Sequence, residues 1–259
     1  MAKLNIRGLS KQYELADGAF YALKDFSAVI EEASFTVILG KSGCGKTTLL
    51  RLLGNLETKT SGEIEFSFQR TEKTGQRIGI VFQEPRLMPW LTVGENMGFS
   101  LLNRQEEQQR KETVANYLAI LGLEEFRDAY PAQLSGGMAQ RVALGRTLCY
   151  DPDLILMDEP FGALDYFTRK RLQKELAALF LNQQKTIVFV THDVPEAVYL
   201  GQKIIVMDAG TVVRQIENGL SYYRDAAAPE FLALQQEILA ALGPDNMAGS
   251  QTMEGLLCT

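Results

Sequence analysis

Apolar and polar residues alternate along the first part of the chain. Leu4 and Ile6 have polar neighbours on either side, and Phe26 and Ile30 belong to a second stretch of the same kind. A period of two residues is typical of strands that bury one face. Residues 3–31 are therefore predicted to form antiparallel strands.

Continuous apolar runs farther along the chain are typical of buried strands. Together with one hairpin pattern, these runs predict most of the remaining sheet structure. The runs predict strands at residues 35–39, 78–82 and 186–190 and a strand from Leu154 to the acids Asp158 and Glu159, and the hairpin is predicted over residues 203–214. Residues 62–68 are predicted to form a further strand.

Apolar residues spaced three and four apart predict helices between these strands. Val114 and Leu118 share one face of such a helix, and Thr92 with Glu95 has the pattern of a capping box. The stretch from about 92 to 130 is mostly helical and is predicted to be an insertion between core strands. The predicted helices are residues 106–121, about 135–149, 166–181 and 229–241.

A glycine-rich loop follows the strand at 35–39 and precedes a run of helix-forming residues. It fits G-x-x-x-x-G-K-[ST] at every fixed position and reads Gly40-Lys41-Ser42-Gly43-Cys44-Gly45-Lys46-Thr47. In this context the backbone N–H groups and the helix N-terminus form a binding site for phosphates. Lys46 can reach the terminal phosphates, and the Thr47 hydroxyl can ligate Mg²⁺. The loop and the following Thr48 therefore predict binding of a nucleoside triphosphate.

Two acidic residues end the apolar run that starts at Leu154. A buried strand would deliver Asp158 and Glu159 to its C-terminal end, where α/β sheets place their sites. In a phosphate-loop protein, Asp158 would hold Mg²⁺, usually through water. Glu159 would be positioned to polarise the attacking water. The alternative is a pair of surface acids that end a strand.

His192 is the only histidine of the chain and directly follows the strand at 186–190. A lone histidine is usually structural or exposed. Here it is predicted to lie on the same side of the sheet as Gly40 and Asp158, and that position favours a contact with the γ-phosphate.

The segment Ser135-Gly136-Gly137 opens the helix that is predicted to end near Cys149. Ser135 is a natural N-cap, but two glycines just inside a helix cost about 1 kcal/mol each relative to Ala. That cost suggests that something approaches this backbone closely. The alternative is a simple turn before a helix.

The composition narrows the class of protein. The chain has 259 residues, 46% hydrophobic and 22% charged, as expected for a globular protein of one or two domains. The formal net charge of −6 argues against a general nucleic-acid binder. No apolar stretch is long enough to span a membrane, and the N-terminus lacks a signal peptide's apolar core. The three cysteines show no paired spacing, so we expect a cytoplasmic protein without a zinc site.

In their order along the chain, these motifs resemble those of ABC transporter ATPase subunits over about residues 3–220. Gly40–Thr47 resembles the Walker A loop, and Leu154–Glu159 resembles the Walker B strand. Leu134–Met138 is similar to the family signature Leu-Ser-Gly-Gly-Gln, with Met138 in place of the usual Gln. The coincidence of several motifs in one order makes the resemblance specific.

The resemblance assigns further residues to the site. Gln83 is similar to the Q-loop glutamine, which is a catalytic position and a Mg²⁺ ligand. Asp165, in Ala163-Leu164-Asp165, is similar to the D-loop aspartate, His192 to the switch histidine and Glu159 to the catalytic glutamate. The resemblance implies that all three are catalytic residues. Tyr13 falls where the family's aromatic residue stacks on adenine, although its sequence alone favours packing within a strand.

The resemblance also implies partners. Two subunits would face head to tail, with ATP and Mg²⁺ between one Walker A loop and the other subunit's Ser135, Gly136 and Gly137. The pair is expected to be a homodimer because every half-site motif is intact. Closure on ATP and opening after hydrolysis would drive transmembrane importer subunits, with this chain peripheral on the inner face of the cell membrane. A periplasmic or extracellular solute-binding protein would take part indirectly, and no nucleic acid is expected.

Phe82–Trp90 looks like the corresponding segment of nitrate, sulfonate and taurine importer ATPases, which predicts uptake of a small anion. Its large apolar residues Leu87, Met88 and Trp90 either pack on their own domain or line a groove for a helix of the membrane subunit.

The alternative function is that of a soluble ABC ATPase in translation or DNA repair. Translation factors usually carry two cassettes, and repair ATPases carry a long coiled coil between motifs. Here only about 50 residues separate Gln83 from Leu134.

The predicted fold is an α/β P-loop NTPase with a RecA-like mixed-sheet core, an antiparallel β subdomain and a helical subdomain at about 92–150. Residues 1–220 are predicted to form the ABC ATPase domain. Residues 221–259 are predicted to form a C-terminal helix and tail.

Overall fold

The computed structural model describes residues 3–15, 18–68, 77–162 and 164–243. Within these ranges the chain forms two β-sheets, of three and six strands, with helices packed on the larger sheet. The predicted tail after Gly243, and Ala163 of the predicted D-loop, lie outside the described residues.

The smaller sheet is antiparallel, as the alternating pattern predicts. Strand β1 (Lys3–Leu15) pairs with β2 (Gly18–Glu31) on one side. On its other side it pairs with β4 (Ser61–Phe66), so the strand order is β2-β1-β4. In β1 the predicted apolar residues Leu4 and Ile6 are buried.

The larger sheet is mixed, which confirms the predicted core. Its strands are β3 (Phe35–Gly40), β5 (Ile78–Val81), β6 (Leu154–Asp158), β7 (Thr186–Thr191), β8 (Lys203–Asp208) and β9 (Thr211–Glu217). Their order is β5-β6-β7-β3-β8-β9. Every pairing is parallel except the last, in which β9 runs antiparallel to β8. The C-terminal ends of β3, β6 and β7 therefore lie at one edge.

The predicted helices are also present. They are α1 (Lys46–Leu53), α2 (Val93–Gly98), α3 (Glu107–Ile120), α4 (Gly136–Cys149), α5 (Tyr166–Gln183) and α7 (Pro229–Ala241). A further helix, α6 (Val194–Leu200), follows β7 and was not predicted. The predicted capping box of α2 forms, because Thr92 Oγ1 accepts a hydrogen bond from Glu95 N and Glu95 Oε2 accepts one from Thr92 N. Val114 and Leu118 of α3 are buried, as their spacing predicts.

The central sheet separates two apolar clusters. Because successive residues of a strand point to opposite faces, Val37 and Leu39 of β3 belong to one cluster and Ile38 belongs to the other. The cluster with Ile38 contains Leu49 of α1 and Leu4 of β1, so α1 and the antiparallel sheet cover that face. The other face is covered mainly by the remaining helices.

The last helix packs onto the same core as the other helices. Phe231 and Ile238 of α7 are buried in the cluster that contains Val37 and Leu39. The domain boundary predicted at residue 220 stays a prediction. In the part of the chain that the structure describes, no helix has the length and apolar character that crossing a membrane requires.

Candidate functional site

The glycine-rich loop connects β3 to α1 and needs glycine for two separate reasons. Gly43 and Gly45 have φ of +80° and +101°, in the left-handed region that favours glycine. Gly45 is also the N-cap of α1, and a Cβ atom there would lie 2.2 Å from the carbonyl oxygen of Ala22. Strand β2 therefore lies directly against the loop and leaves no room for a side chain at that point.

The side chain of Lys46 is only 5% exposed and fixes the shape of this loop. Its Nζ donates hydrogen bonds to the carbonyl oxygens of Gly40 at 2.7 Å and Lys41 at 2.8 Å. The same Nζ lies 3.8 Å from Glu159 Oε1. The positive charge is thus held between the loop and the acidic end of β6.

Thr47 and Asp158 meet at the same place. The Thr47 hydroxyl donates a hydrogen bond to Asp158 Oδ1 at 3.2 Å. Burial raises the pKa of Asp158, and the nearby charge of Glu159 raises it further, while the Thr47 hydrogen bond lowers it. Both residues line a cavity of about 460 Å³ together with Gln83.

These oxygen donors have the chemistry that a hard divalent cation requires. A hydroxyl, a carboxylate and an amide suit Mg²⁺, which proteins often hold through one or two carboxylates plus substrate phosphates. Across residues 3–243, apart from the undescribed gaps, no group of three or more His, Cys, Asp or Glu residues could hold a metal alone. The donor set of Thr47, Asp158 and Gln83 therefore fits a cation that is shared with a phosphate ligand.

Glu159 and His192 form a pair beside these groups. His192 Nδ1 lies 3.0 Å from Glu159 Oε2, and Glu159 Oε1 faces Lys46. Glu159 has a φ of +43°, an uncommon conformation for a residue with a side chain. Its backbone N–H donates to the carbonyl oxygen of Val190 at 3.0 Å, so β7 helps to hold this turn.

A buried network that the sequence did not predict supports the His192 segment. Glu196 is 5% exposed, and its two carboxylate oxygens accept hydrogen bonds from Thr191 Oγ1 at 2.7 Å and Gln173 Nε2 at 3.1 Å. Its backbone N–H donates to Asp193 Oδ1, which caps α6. Burial raises the pKa of Glu196. The pattern Asp193-x-x-Glu196 was the one available signal, because it has the spacing of a capping box.

Arg169 of α5 joins the His192 segment to the segment that carries Asp165. Its Nη2 donates to the carbonyl oxygen of Leu164 at 3.1 Å, and its Nη1 lies 3.6 Å from Asp193 Oδ2. Asp165 itself caps α5 by accepting a hydrogen bond from Thr168 N at 3.0 Å, which lowers the pKa of Asp165.

Tyr13 lies near the glycine loop through the pairing of β1 with β2. It is directly opposite Phe20, and Ala22, two residues farther along β2, contacts Gly45. Lys11 Nζ lies 4.8 Å from the centre of the Tyr13 ring. The sequence identified Tyr13 but missed Phe20, because only the strand register shows that the two aromatic residues share a face.

The helix start at Ser135 is separate from these groups within this subunit. Ser135 Oγ accepts a hydrogen bond from Met138 N, which confirms the predicted N-cap. A Cβ atom at Gly137 would lie 2.6 Å from Thr168 Cγ2, so packing within the chain explains that glycine. A Cβ atom at Gly136 would meet nothing within 4 Å. Among the described residues, no hydrogen bond or ion pair joins this segment to Gly40–Thr47.

Comparisons with known proteins agree with this geometry. A sequence profile described as ABC transporter matches residues 23–162. The chain is 40% identical over 238 residues to the aliphatic sulfonates import ATP-binding protein SsuB of Bacillus thuringiensis subsp. konkukian, which covers 91% of this chain and 94% of that protein. It is also 40% identical over 251 residues to the nitrate import ATP-binding protein NrtD of Synechocystis sp., which covers 92% and 94%.

A solved structure shows the same fold. It is a dimeric, post-hydrolysis state of an ATP-binding cassette bound to ADP and Pi, with a TM-score of 0.74 and 33% sequence identity. The match covers 84% of this chain and 100% of that chain.

We predict that Glu196→Gln changes how stability depends on pH. The buried carboxyl has a raised pKa, so the native state binds its proton more tightly than the unfolded state does. Its stabilising contribution is therefore complete below the unfolded pKa and is lost as pH rises through the folded pKa. The variant lacks this loss, so it should gain stability relative to the wild type as pH rises above about 4, the unfolded pKa of Glu, and through the raised pKa of the folded state.

Urea unfolding followed by circular dichroism across this pH range measures the difference. Glu230→Gln, at an exposed position of α7, is the control for loss of one carboxylate. Parallel stability profiles for wild type and Glu196→Gln would show that Glu196 makes no pH-dependent contribution.

Proposed function

This chain belongs to the ABC transporter family, and we therefore propose that it is the ATP-binding and ATP-hydrolysing subunit of an importer. The observation that carries the proposal is the meeting of Lys46, Asp158, Glu159 and His192 at one edge of the sheet. Relatives named as import ATP-binding proteins support the importer. They do not favour the alternative, a soluble ABC ATPase of translation or DNA repair.

The phosphates of ATP would lie on the glycine loop, where backbone N–H groups and the start of α1 favour negative charge. Lys46 is held by the carbonyl groups of Gly40 and Lys41, so little side-chain freedom is left to lose when it contacts the terminal phosphates. Tyr13 would stack on the adenine, and Phe20 adds a second aromatic ring at that end of the site.

Mg²⁺ is the cation that we propose for the donor set described above. Thr47 and Asp158 would hold it, with Gln83 as a further oxygen ligand. When bound, Mg²⁺ supplies charge neutralisation for the transferred phosphoryl group. Asp158 must be ionised for this role, and the Thr47 hydrogen bond opposes the effect of burial on its pKa.

Hydrolysis requires a group that accepts a proton from the attacking water, and Glu159 is our candidate. Its carboxylate is oriented by His192 at 3.0 Å on one oxygen and faces Lys46 on the other. His192 itself would contact the γ-phosphate. The side chain of Asp165 caps α5, and its catalytic role stays a prediction from the family resemblance.

We propose that the second half of each ATP site comes from a second copy of this chain. Ser135 and Gly136 start α4, are exposed, and have no hydrogen bond or ion pair to the glycine loop among the described residues. The N-terminus of α4 would offer its backbone N–H groups to the γ-phosphate of the partner's ATP. The solved cassette with the same fold is dimeric, which supports a pair.

A groove beside α2 is the proposed contact with the transmembrane subunit. It has a volume of about 480 Å³, and Arg110 and Arg127 lie at its sides. Its apolar lining is formed by Trp90, Phe99, Leu102 and Val114. The preceding loop is fixed by the buried amide of Asn96, which accepts from Met88 N and donates to Met88 O and Leu91 O.

Leu87 and Trp90 have different surroundings, although both are large apolar residues of the same loop. Trp90 is 72% exposed and lines the groove. Leu87 is partly buried and packs against the apolar core. Of these two residues, only Trp90 is therefore available to a helix of the membrane subunit.

The substrate that we propose is a small anion such as a sulfonate, taurine or nitrate. The sulfonate and nitrate relatives are equally identical to this chain, at 40%, so identity does not choose between them. The partners would be transmembrane importer subunits and, indirectly, a solute-binding protein outside the membrane. This chain would lie on the inner face of the cell membrane.

We predict that Lys46→Ala weakens ATP binding by about 10- to 100-fold, the loss expected for hydrogen bonds to a charged group. Titration with a fluorescent ATP analogue measures the affinity. Lys174→Ala, which removes an exposed lysine of α5, is the control and should bind normally. Unchanged affinity in Lys46→Ala would refute the assignment of the phosphate site.

We predict that Glu159→Gln binds ATP but hydrolyses it about 10²–10⁴-fold more slowly, because a general base is lost. The ATP-bound protein should then accumulate as a dimer, which light scattering detects with ATP and not without it. Glu217→Gln, at an exposed position of β9, is the control. Near-normal turnover in Glu159→Gln would move the role of base to another residue, with His192 the next candidate.

We predict that Trp90→Glu leaves folding and ATP binding intact but abolishes transport and the stimulation of ATP hydrolysis by the membrane subunits. A carboxylate in the apolar groove cannot be buried against a helix without a large desolvation cost. Leu232→Glu, at an exposed position of α7, is the matched control. In contrast, Leu87→Glu should lower the thermal midpoint, because Leu87 packs on the core. Transport at the wild-type rate in Trp90→Glu would place the contact elsewhere.

A further inference from the structure

Helix α4 is fastened to the loop that carries Gln83. Gln140 of α4 is 4% exposed, and its Nε2 donates to the carbonyl oxygen of Phe82 at 3.1 Å. Thr147 Oγ1 lies 3.4 Å from the carbonyl oxygen of Ile80, two residues before Phe82. These contacts hold the backbone on the N-terminal side of Gln83.

Arg146 holds the backbone on the other side of Gln83. Its Nη1 donates to the carbonyl oxygen of Arg86 at 2.9 Å, and its Nη2 donates to the carbonyl oxygen of Pro85 at 3.1 Å. The planar guanidinium group suits two neighbouring acceptors, which a lysine ammonium could not bridge with the same geometry. Gln83 therefore lies between two points at which its loop is attached to α4.

The surroundings of Arg146 differ from those of an ordinary surface arginine, because the side chain is partly buried and bonded to the loop backbone. Burial lowers the pKa of its guanidinium group. Within the ranges that the structure describes, no carboxylate lies at ion-pairing distance from it. A partly buried cation without a counter-ion costs free energy, and here its hydrogen bonds go to the loop backbone.

The loop has a strained conformation where Arg146 binds it. Arg86 has a φ of +46°, a region that residues with side chains rarely adopt. Its guanidinium carbon lies 4.3 Å from the centre of the Phe82 ring, so the loop also folds back on itself. Backbone strain of this kind persists only where surrounding contacts hold it, and it is frequent in segments that change shape.

The other end of α4 is the exposed helix start at Ser135 and Gly136. From Ser135 to Arg146 the helix rises about 16 Å. The helix is also tightly packed, because a Cβ atom at Gly145 would lie 2.5 Å from Met97 Cε of α2. A displacement of the loop at Arg146 would therefore displace the whole of α4 as a rigid body.

We propose that Gln140 and Arg146 are positioning residues that tie the place of Gln83 to the place of Ser135 and Gly136. The loop beside one ATP and the helix start that faces the second ATP then move as one body. The inference rests on the proposed function, since it needs two ATP molecules between two subunits. Without these ties, Gln83 could change its contacts while α4 stayed in place.

The test compares Arg146→Met with Arg141→Met. Both changes remove a guanidinium group from α4, but Arg141 donates to the carbonyl oxygen of Leu121, away from the Gln83 loop. Arg146→Met should bind ATP at a single site within about threefold of wild type. Its Hill coefficient for ATP hydrolysis should fall towards about 1, and its ATP-driven dimerisation in the Glu159→Gln background should weaken at least about fivefold. Arg141→Met should keep wild-type cooperativity.

A double-mutant cycle with Gln83→Ala adds a readout that a structural role would not move. If Arg146 acts through Gln83, the effects of the two changes on kcat should be clearly non-additive. Arg146→Lys and Gln140→Met repeat the cycle with smaller changes if Arg146→Met does not fold. Arg146→Lys should recover only part of the cooperativity, because an ammonium lacks the planar, two-pronged geometry with which the guanidinium group holds the carbonyl groups of Pro85 and Arg86.

Three results would overturn the proposal. They are full cooperativity in a folded Arg146→Met protein, additive effects in the cycle, and an equal loss of cooperativity in Arg141→Met. Failure of the proposed function is distinguishable from these, because the wild-type protein itself would then neither bind nor hydrolyse ATP.

Discussion

The parallel pairing of β6, β7 and β3 is the constraint on which the site depends. These strands are neighbours in the sheet, and all three end at the same edge. The acids that end β6, His192 after β7 and the glycine loop after β3 are therefore brought together by strand pairing alone. The apolar runs occupy the sheet interior, so polar chemistry begins only where each run ends. A shift of one residue in register would move a functional group by about 3.3 Å.

Much of this arrangement could be predicted from the sequence, because local patterns encode it. The glycine spacing of Gly40–Thr47, the acids after an apolar run and the caps at Thr92 and Ser135 each act within a few residues. The predicted strands were confirmed, and those at 35–39 and 186–190 are one residue longer at the C-terminal end than predicted. The strands predicted at 62–68 and 78–82 end earlier, at Phe66 and Val81. The order of the motifs along the chain predicted membership of the ABC transporter family, and the comparisons confirmed that prediction.

The remaining features depend on contacts between distant segments. Phe20 is placed beside Tyr13 only by strand register, and Glu196 is buried only because Gln173 and Thr191 surround it. Leu87 and Trp90 lie in a proline-containing loop, where no period tells which residue turns inward. The ties between α4 and the Gln83 loop end on backbone carbonyl groups. Every residue type carries such a group, so these ties leave no trace in the sequence of the loop.

The contact between Ala22 and Gly45 has a consequence for how this protein can change over evolution. Two features exclude a side chain at position 45. The backbone there is left-handed, and the Ala22 carbonyl oxygen fills the space that a Cβ atom would need. The hairpin of β1 and β2, which carries Tyr13, thus packs directly against the glycine loop. A mutation that moved one would displace the other, so substitutions in the hairpin and in the glycine loop are expected to be constrained together.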